Sequence, residues 1–270
     1  VHPKPAEWTQ FYASVLRKTG IDLGQYKAQQ LQRRIIGMMD SKEMSDLEGF
    51  YAWIAGSKQN ETWFLDRLAI NVSELFRNRE KWVELEKKVL PELIERSASL
   101  KAWSAGCSYG AEAYSLASLL VARFPGRHQI IGTDIDQAAL DQARRGAFGD
   151  TDMRCVPNDL KDRFFTRIDG EWRASQDLKR LVEFRTGNLL AERFESGFDL
   201  IMCRNVVIYF NDDAKDRLYK RFFQALKPGG YLLVGSTERI FKSKEIGYEC
   251  PIPFFYRKPI SGDQLWRNAS

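Results

Sequence analysis

Three short stretches of this 270-residue chain hold residue types and spacings that could do chemistry. Trp103-Ser104-Ala105-Gly106-Cys107-Ser108-Tyr109-Gly110 lies between an apolar run and a helical one, as a strand-to-helix loop would. Gly106 and Gly110 let the backbone approach a bound molecule with no Cβ in the way. Two glycines after a strand also serve purely structural turns, so this stretch alone leaves both readings open. Ile131-Gly132-Thr133-Asp134 closes the next apolar run with a carboxylate. An acid at that place can accept both hydroxyls of a ribose. It can equally cap the following helix, but Asp136 is better placed for the cap, which frees Asp134 for ribose. Arg204-Asn205 breaks the apolar run Leu200 to Phe210, and Tyr209 follows shortly after.

The kind of nucleoside follows from charge. A pyrophosphate site wants a tight GxGxxG turn with a helix N-terminus aimed at the phosphates. The loop here is longer, and Glu112 stands in the first turn of the helix behind it. A carboxylate there would repel pyrophosphate and suits a cationic ligand. S-adenosylmethionine carries a sulfonium and an amino group and no phosphate, so the sequence favours it over NAD.

Composition narrows the field further. His2 and His128 are the only histidines, which argues against a histidine triad or a zinc site, and no metal is expected. Cys107, Cys155, Cys203 and Cys250 are far apart and form no CxxC pair, as fits a reduced, cytoplasmic compartment. A hydrophobic share of 44% with 29% charged residues is that of a globular chain and not of a disordered one. No run approaches the roughly 18 apolar residues of a membrane span, and the first residues lack the apolar centre of a signal peptide. The net charge of +5 would suit an acidic partner, and an ordinary basic surface explains it as well.

Elements to position these residues are legible along the chain. Residues 1–75 read as helices and form an all-α N-terminal domain. Leu31, Ile35 and Met38 share one helix face, while Lys27, Gln30 and Arg34 share another, with Arg33 close by. Asp46 is placed to cap a helix carrying Leu47, Phe50, Tyr51 and Ile54, and Trp63, Leu65, Leu68 and Ile70 continue the pattern. Residues 76–270 then alternate. A helix over 82–96, containing Pro91, leads to a strand over 100–103, a helix over 111–124, a strand from 129 ending at Asp134 and a helix over 137–145. Further strands are expected over 182–184, 198–203 and 231–234, the last after the turn Lys227-Pro228-Gly229-Gly230, and a closing hairpin over 247–258. This is a mostly parallel α/β sheet of Rossmann-like type, with the strand over 198–203 the fourth of the sheet in chain order. Residues 164–186 form an irregular stretch around Asp169-Gly170, read as a small β-hairpin subdomain.

With these residues in place, the chain resembles the CheR-type chemotaxis receptor methyltransferases over nearly its whole length. The resemblance rests on Asn71-Val72-Ser73-Glu74-Leu75-Phe76-Arg77, Trp103 to Ser115, Ile131 to Asp136, Asn188-Leu189-Leu190, Cys203 to Phe210 and Leu226 to Glu238, in family order behind a helical domain. It implies a class I S-adenosylmethionine methyltransferase domain that leaves S-adenosylhomocysteine as product. Asn71, Ser73 and Arg77 would border the cofactor and active site, and Glu112 would face the methionine end. Asp134 would hold the ribose, Asn188 and Leu189 would flank adenine, and Arg204 and Asn205 would line the site where the fourth strand ends. Arg77 and Tyr209 would stand nearest the methyl transfer. The chain departs from the family at Ser73 and Leu75, where Thr and Phe are frequent. Ala111 replaces the first of two paired acids, so only Glu112 can serve, and Ala113 stands where a proline follows them.

The resemblance also implies a substrate: glutamate side chains on the cytoplasmic coiled coil of methyl-accepting chemotaxis receptors, esterified for sensory adaptation. The N-terminal domain would meet that coiled coil, with Lys27, Arg33 and Arg34 as the docking face. Family members that grip a receptor tail peptide have a longer, glycine-rich loop in the β-subdomain. Here only Ile168-Asp169-Gly170-Glu171 is present, which is similar to the kind that needs no tether. Two other readings are a nucleic-acid methyltransferase and a non-catalytic nucleotide-sensing or receptor-docking module. Amino-directed nucleic-acid methylases carry a [DN]PP[FY] motif where this chain has Arg204-Asn205-Val206-Val207. The docking module would bind cofactor without turnover.

Overall fold

The computed structural model describes residues 3–68 and 73–260. Four helices, α1 (Pro5–Thr19), α2 (Ala28–Asp40), α3 (Leu47–Gly56) and α4 (Lys58–Leu68), open the chain. Their apolar faces close on one another around Trp8, Phe11, Val15, Phe50, Ile54 and Phe64, with Leu31, Ile35 and Met38 of α2 turned inward. Asp46 caps α3, its Oδ1 accepting from Gly49 N at 2.7 Å. On α4 the core positions are Phe64 and Leu68, while Trp63 and Leu65 are only half-buried. Ile70 and Asn71 lie outside the described residues.

A long helix follows, α5 (Arg79–Glu84), a π-helical turn (Leu85–Val89) and α6 (Leu90–Arg96). The expected single helix across Pro91 survives because of that wide turn. Leu90 N reaches back to Leu85 O, and Pro91, which has no N–H and would crowd an ordinary turn, falls at the start of α6. Then come β1 (Lys101–Ala105), α7 (Ala111–Arg123), β2 (Gln129–Asp134) and α8 (Gln137–Arg145). The irregular stretch is more ordered than its sequence suggests. β3 (Ala147–Phe148) and α9 (Asn158–Phe164) precede it, and it holds β4 (Phe165–Ile168), β5 (Glu171–Ala174), α10 (Gln176–Lys179) and β6 (Val182–Thr186). The hairpin β4–β5 turns through Asp169 and Gly170, both with positive φ, as a two-residue turn requires. Its sheet has the order β3-β5-β4, so it recruits Ala147 and Phe148 from upstream of the hairpin, while β6 belongs to the main sheet, as the sequence leads one to expect.

The chain ends with β7 (Phe198–Cys203), α11 (Asp212–Ala225), β8 (Leu226–Val234), α12 (Ser243–Ile246), β9 (Glu249–Ile252) and β10 (Phe255–Arg257). β8 begins five residues earlier than the expected Tyr231. The Lys227-Pro228-Gly229-Gly230 segment sits inside the strand as an irregularity, so that Phe198 pairs with Leu226 and Leu200 with Tyr231. The seven-stranded sheet runs β6-β2-β1-β7-β8-β10-β9, and only β10 runs against the others. The order reverses between β1 and β7, and their carboxyl ends flank the crevice where ligands of open α/β sheets bind.

The helical bundle sits over that end of the sheet. Tyr26 forms an antiparallel bridge with Phe210, the rings 5.2 Å apart and nearly perpendicular. Lys27 N donates to Tyr209 O and Asn211 N to Gln25 O, each at 2.9 Å. The Asn211 side chain works on both sides of the joint: Oδ1 caps α11 by accepting from Ala214 N, and Nδ2 donates to Gly24 O, each at 2.9 Å. Asn211→Ala removes both, and a lost helix cap alone costs about 1 kcal/mol. Chemical denaturation should show a loss of about 1–2 kcal/mol, and an unchanged midpoint would mean that this joint adds nothing to stability.

Candidate active site

The loop from β1 to α7 is shaped by its glycines. Gly106 has φ +79°, and a Cβ there would meet Val206 Cγ2 at 2.6 Å. Gly110, with φ +85°, would press a Cβ onto Phe184 at 2.8 Å. Both are thus required by packing and backbone together, and Gly106 brings the 203–210 segment down onto the loop. Around this crossing a cavity gathers residues from six parts of the chain: Tyr26; Leu68, Ser73, Glu74 and Arg77; Gly106, Ser108 and Glu112; Asp134 and Ile135; Gly187 to Leu190; and Arg204, Asn205, Val206, Tyr209 and Phe210. Of the residues singled out in the sequence, Ser73, Arg77, Gly106, Glu112, Asp134, Asn188, Leu189, Arg204, Asn205 and Tyr209 all line it. Asn71 cannot be placed. Lys27, Arg33 and Arg34 line a second groove with Gln30, Leu31 and Leu68. The two cavities meet at Tyr26, Leu68 and Tyr209.

Asp134 is not as free as the sequence suggests. Asp136 does take the cap of α8, accepting from Ala139 N at 3.0 Å, but Asp134 is itself held from behind. Its Oδ2 accepts from Ser108 N at 2.7 Å and its Oδ1 from Asp136 N at 3.0 Å. A carboxylate has about four lone-pair sites, so lone pairs remain on the cavity side for a pair of hydroxyls. Burial raises its pKa against these hydrogen bonds.

Glu112 is half-buried, its side chain 13% exposed, and desolvation raises its pKa from the ordinary value. Arg204 opposes the rise, its Nη1 3.6 Å from Glu112 Oε2, and Ser104 Oγ donates to Oε1 at 2.7 Å. Arg204 does more than face Glu112. Its Nη2 donates to Arg77 O at 2.7 Å and to Asn78 Oδ1 at 3.0 Å. Phe76 and Asn78 on either side of Arg77 have φ near +60°, a costly conformation for residues with side chains, and this guanidinium helps to hold it. Trp82 Nε1 donates to the same Arg77 carbonyl at 3.1 Å. Tyr26, Ser104 and Asn78 take part in the site without having been singled out from the sequence. Each lies within or beside a quoted motif or far from one, and nothing in its spacing marks it.

The donor set can be tested against the expected cofactor. The cavity wall bears the carboxylates of the buried Asp134 and the half-buried Glu112, and one buried cation, Arg204. Arg204 Nε is buried without a hydrogen-bond partner among the described residues, a donor suited to an anion. A methionine zwitterion with an added sulfonium supplies one carboxylate and two positive centres, and a nucleoside supplies two ribose hydroxyls. The residues fit.

The raised pKa of Glu112 carries a sign. The folded state holds its proton more tightly than the unfolded chain, so ionising it costs stability as pH climbs above about 4.5. Glu112→Gln escapes that cost while losing the partner of Arg204. Without cofactor, the melting temperature of the variant relative to the native chain should therefore rise between about pH 4.5 and neutrality. Calorimetry at pH 7 should show its affinity for S-adenosylmethionine down by about tenfold or more. A flat pH difference would mean that Glu112 is solvated after all.

Comparison with known proteins agrees with this geometry. The description "CheR methyltransferase, all-alpha domain" matches residues 6–69, and "CheR methyltransferase, SAM binding domain" matches residues 71–253. The chemotaxis protein methyltransferase of Listeria monocytogenes is 35% identical over 254 residues, covering 93% of this chain and 97% of its own. That of Borreliella burgdorferi is 29% identical over 263 residues, covering 92% and 93%. Among solved structures, an S-adenosylmethionine-dependent methyltransferase from Mesorhizobium loti overlaps 53% of this chain and 51% of its own at a TM-score of 0.32 and 19% identity, too partial to carry an argument. The helical bundle, the parallel sheet and the cavity at its switch point are those of an S-adenosylmethionine-dependent methyltransferase, and the chain belongs to the CheR methyltransferase family.

Proposed function

We propose that this chain methyl-esterifies glutamate side chains on the cytoplasmic domain of methyl-accepting chemotaxis receptors, working in the cytoplasm. The observation that carries the reading is the junction of the two cavities at Tyr209. On one side lies a cofactor pocket with carboxylates, and on the other a groove bearing Lys27, Arg33 and Arg34. A cationic groove that ends at a methyl-donor site suits an acidic side chain delivered from an acidic helix. No described helix is long and apolar enough to cross a membrane, which is compatible with the compartment.

S-adenosylmethionine, when bound, supplies an electrophilic methyl on a sulfonium. A glutamate carboxylate with a pKa near 4.3 is already an anionic nucleophile at neutral pH, so no general base is needed. One C–O bond forms as one C–S bond breaks, and no proton moves. The work left to the protein is alignment, where effective molarity can contribute about 7–11 kcal/mol. Because opposite charges annihilate in the step, a tight ion pair to the carboxylate would favour the ground state and slow it. Arg77 therefore orients, and Tyr209 shares the task as a neutral donor. Burial raises the Tyr209 hydroxyl above its ordinary pKa, with Arg34 and Arg77 opposing, so it keeps its proton at neutral pH. Asn188 and Leu189 border the adenine end, Asp134 the ribose, and Glu112 with Arg204 the methionine end. The domains divide near residue 75, and the β-subdomain, with its two-residue turn at Asp169-Gly170, acts without a receptor tail peptide.

Radiolabelled methyl transfer to receptor cytoplasmic fragments, followed by mild base, tests the substrate. Release of the label as methanol is expected, and base-stable label would point to methylated nitrogen and sink the reading. Reversing Arg33 and Arg34 to Glu should raise the Michaelis constant for receptor about tenfold, equivalent to about 1.4 kcal/mol, with affinity for S-adenosylhomocysteine unchanged. Arg77→Lys loses the planar fork and should lower turnover about tenfold or more; full turnover would remove its orienting role. Saturable binding of a receptor tail peptide would overturn tether independence.

A further inference from the structure

Glu238 belongs to the Leu226 to Glu238 motif, yet nothing described so far uses it. It sits just past the end of β8, is only 4% exposed, and has no ion pair among the described residues. Keeping a carboxylate in such a place requires donors. They come from the backbone. Glu238 Oε2 accepts from Asn205 N at 2.6 Å and from Gly235 N at 2.7 Å, so one oxygen ties the residues leaving β7 to those leaving β8. Gly235 has to be glycine here, because a Cβ would run into that same oxygen and stand 3.0 Å from Asn205 N.

The other oxygen, Oε1, is buried without a hydrogen-bond partner among the described residues, and the backbone N–H groups of Val207 and Ile208 favour the charged form of the carboxylate. Those are the opening residues of the 3-10 turn Val207–Tyr209, whose first N–H groups have no partner within the turn. Asn205 enters the turn with φ +60°, a conformation that a side-chain-bearing residue holds only when its surroundings demand it. Burial raises the pKa of Glu238 while these backbone donors oppose the rise.

We infer that Glu238 is a positioning residue for methyl transfer: its carboxylate fixes residues 205–209 and thereby sets the Tyr209 ring where the two cavities meet. The inference rests on the role given to Tyr209 above. It acts only through the backbone of the turn. A carboxylate suits the post because it has acceptors on both oxygens and no donor. An amide of the same shape must turn an NH2 group toward backbone N–H groups.

The test is Glu238→Gln, alone and combined with Tyr209→Phe, with turnover on receptor fragments and calorimetric binding of S-adenosylhomocysteine both measured. Turnover should fall about tenfold or more while the product dissociation constant moves less than about threefold. Tyr209→Phe should cost about tenfold in the native background and less than about threefold beside Glu238→Gln, because a misplaced ring has little left to lose. Full turnover in Glu238→Gln, equal loss of binding and turnover, or additive losses in the double variant would overturn the role of Glu238. An inert Tyr209→Phe in the native background would instead overturn the reading of Tyr209. Should Glu238→Gln fail to fold, Glu238→Asp, which keeps the acceptors and shortens their reach, enters the same cycle with the same expectations. If neither folds, Glu238 serves the fold as a whole and the inference fails.

Discussion

Taking a guanidinium out of water costs several kcal/mol, and Arg204 makes that transfer at the end of β7, where its side chain is almost wholly enclosed. What repays it is a set of partners that no single element could supply: Glu112 from the first turn of α7, and the Arg77 carbonyl with the Asn78 amide from the segment ahead of α5. A buried pair of this kind is weak support for stability, since well-packed apolar residues would often serve as well. Removing one partner is another matter, and costs about 3–5 kcal/mol because a charge is left stranded. The arrangement is therefore better understood as a registry device. It can be satisfied only when the Arg77 segment, the glycine loop and the end of the fourth strand are all in place.

The placement of the helical bundle follows the same logic at larger scale. The bundle has its own core around Phe50 and Phe64 and does not need the sheet to bury its apolar faces. It is nonetheless fixed to the sheet through Tyr26 and Phe210 and through backbone hydrogen bonds at Gln25, Lys27, Tyr209 and Asn211. That joint makes one wall of the cofactor cavity and brings the cationic face of α2 to the same tyrosine. In the function proposed above, the methyl donor and the acidic acceptor approach Tyr209 from these two sides.

Much of the architecture could be read from the chain. Short apolar runs and period-3.6 patterns located β1, β2, β7 and the helices between them within a few residues, because those positions must be buried whatever surrounds them. The pattern faded where burial is shared out differently. β3 is two residues long and pairs across a gap to Trp172 and Arg173, so no alternation could reveal it. The early start of β8 depends on its partner strand tolerating the Pro228-Gly229 irregularity, which local turn chemistry alone reads as a loop. The wide π-helical turn before Pro91 is likewise a choice of hydrogen-bond partner that leaves no mark in composition.

For the site, the chain by itself determined residue chemistry: two glycines at a strand end, a carboxylate at 112 that disfavours a pyrophosphate and one at 134 suited to ribose, an Arg-Asn pair where the fourth strand ends, and only two histidines. Such features are local, set by side-chain type and by the one or two turns around it. Tertiary structure decided which of these groups are occupied by one another. It tied Asp134 to Ser108 N, matched Glu112 with Ser104 and Arg204, and laid the Glu238 carboxylate against Asn205 N across some thirty residues of chain. Those pairings depend on how far the ends of separate strands lie apart once the sheet has closed, a distance that no spacing along the sequence encodes.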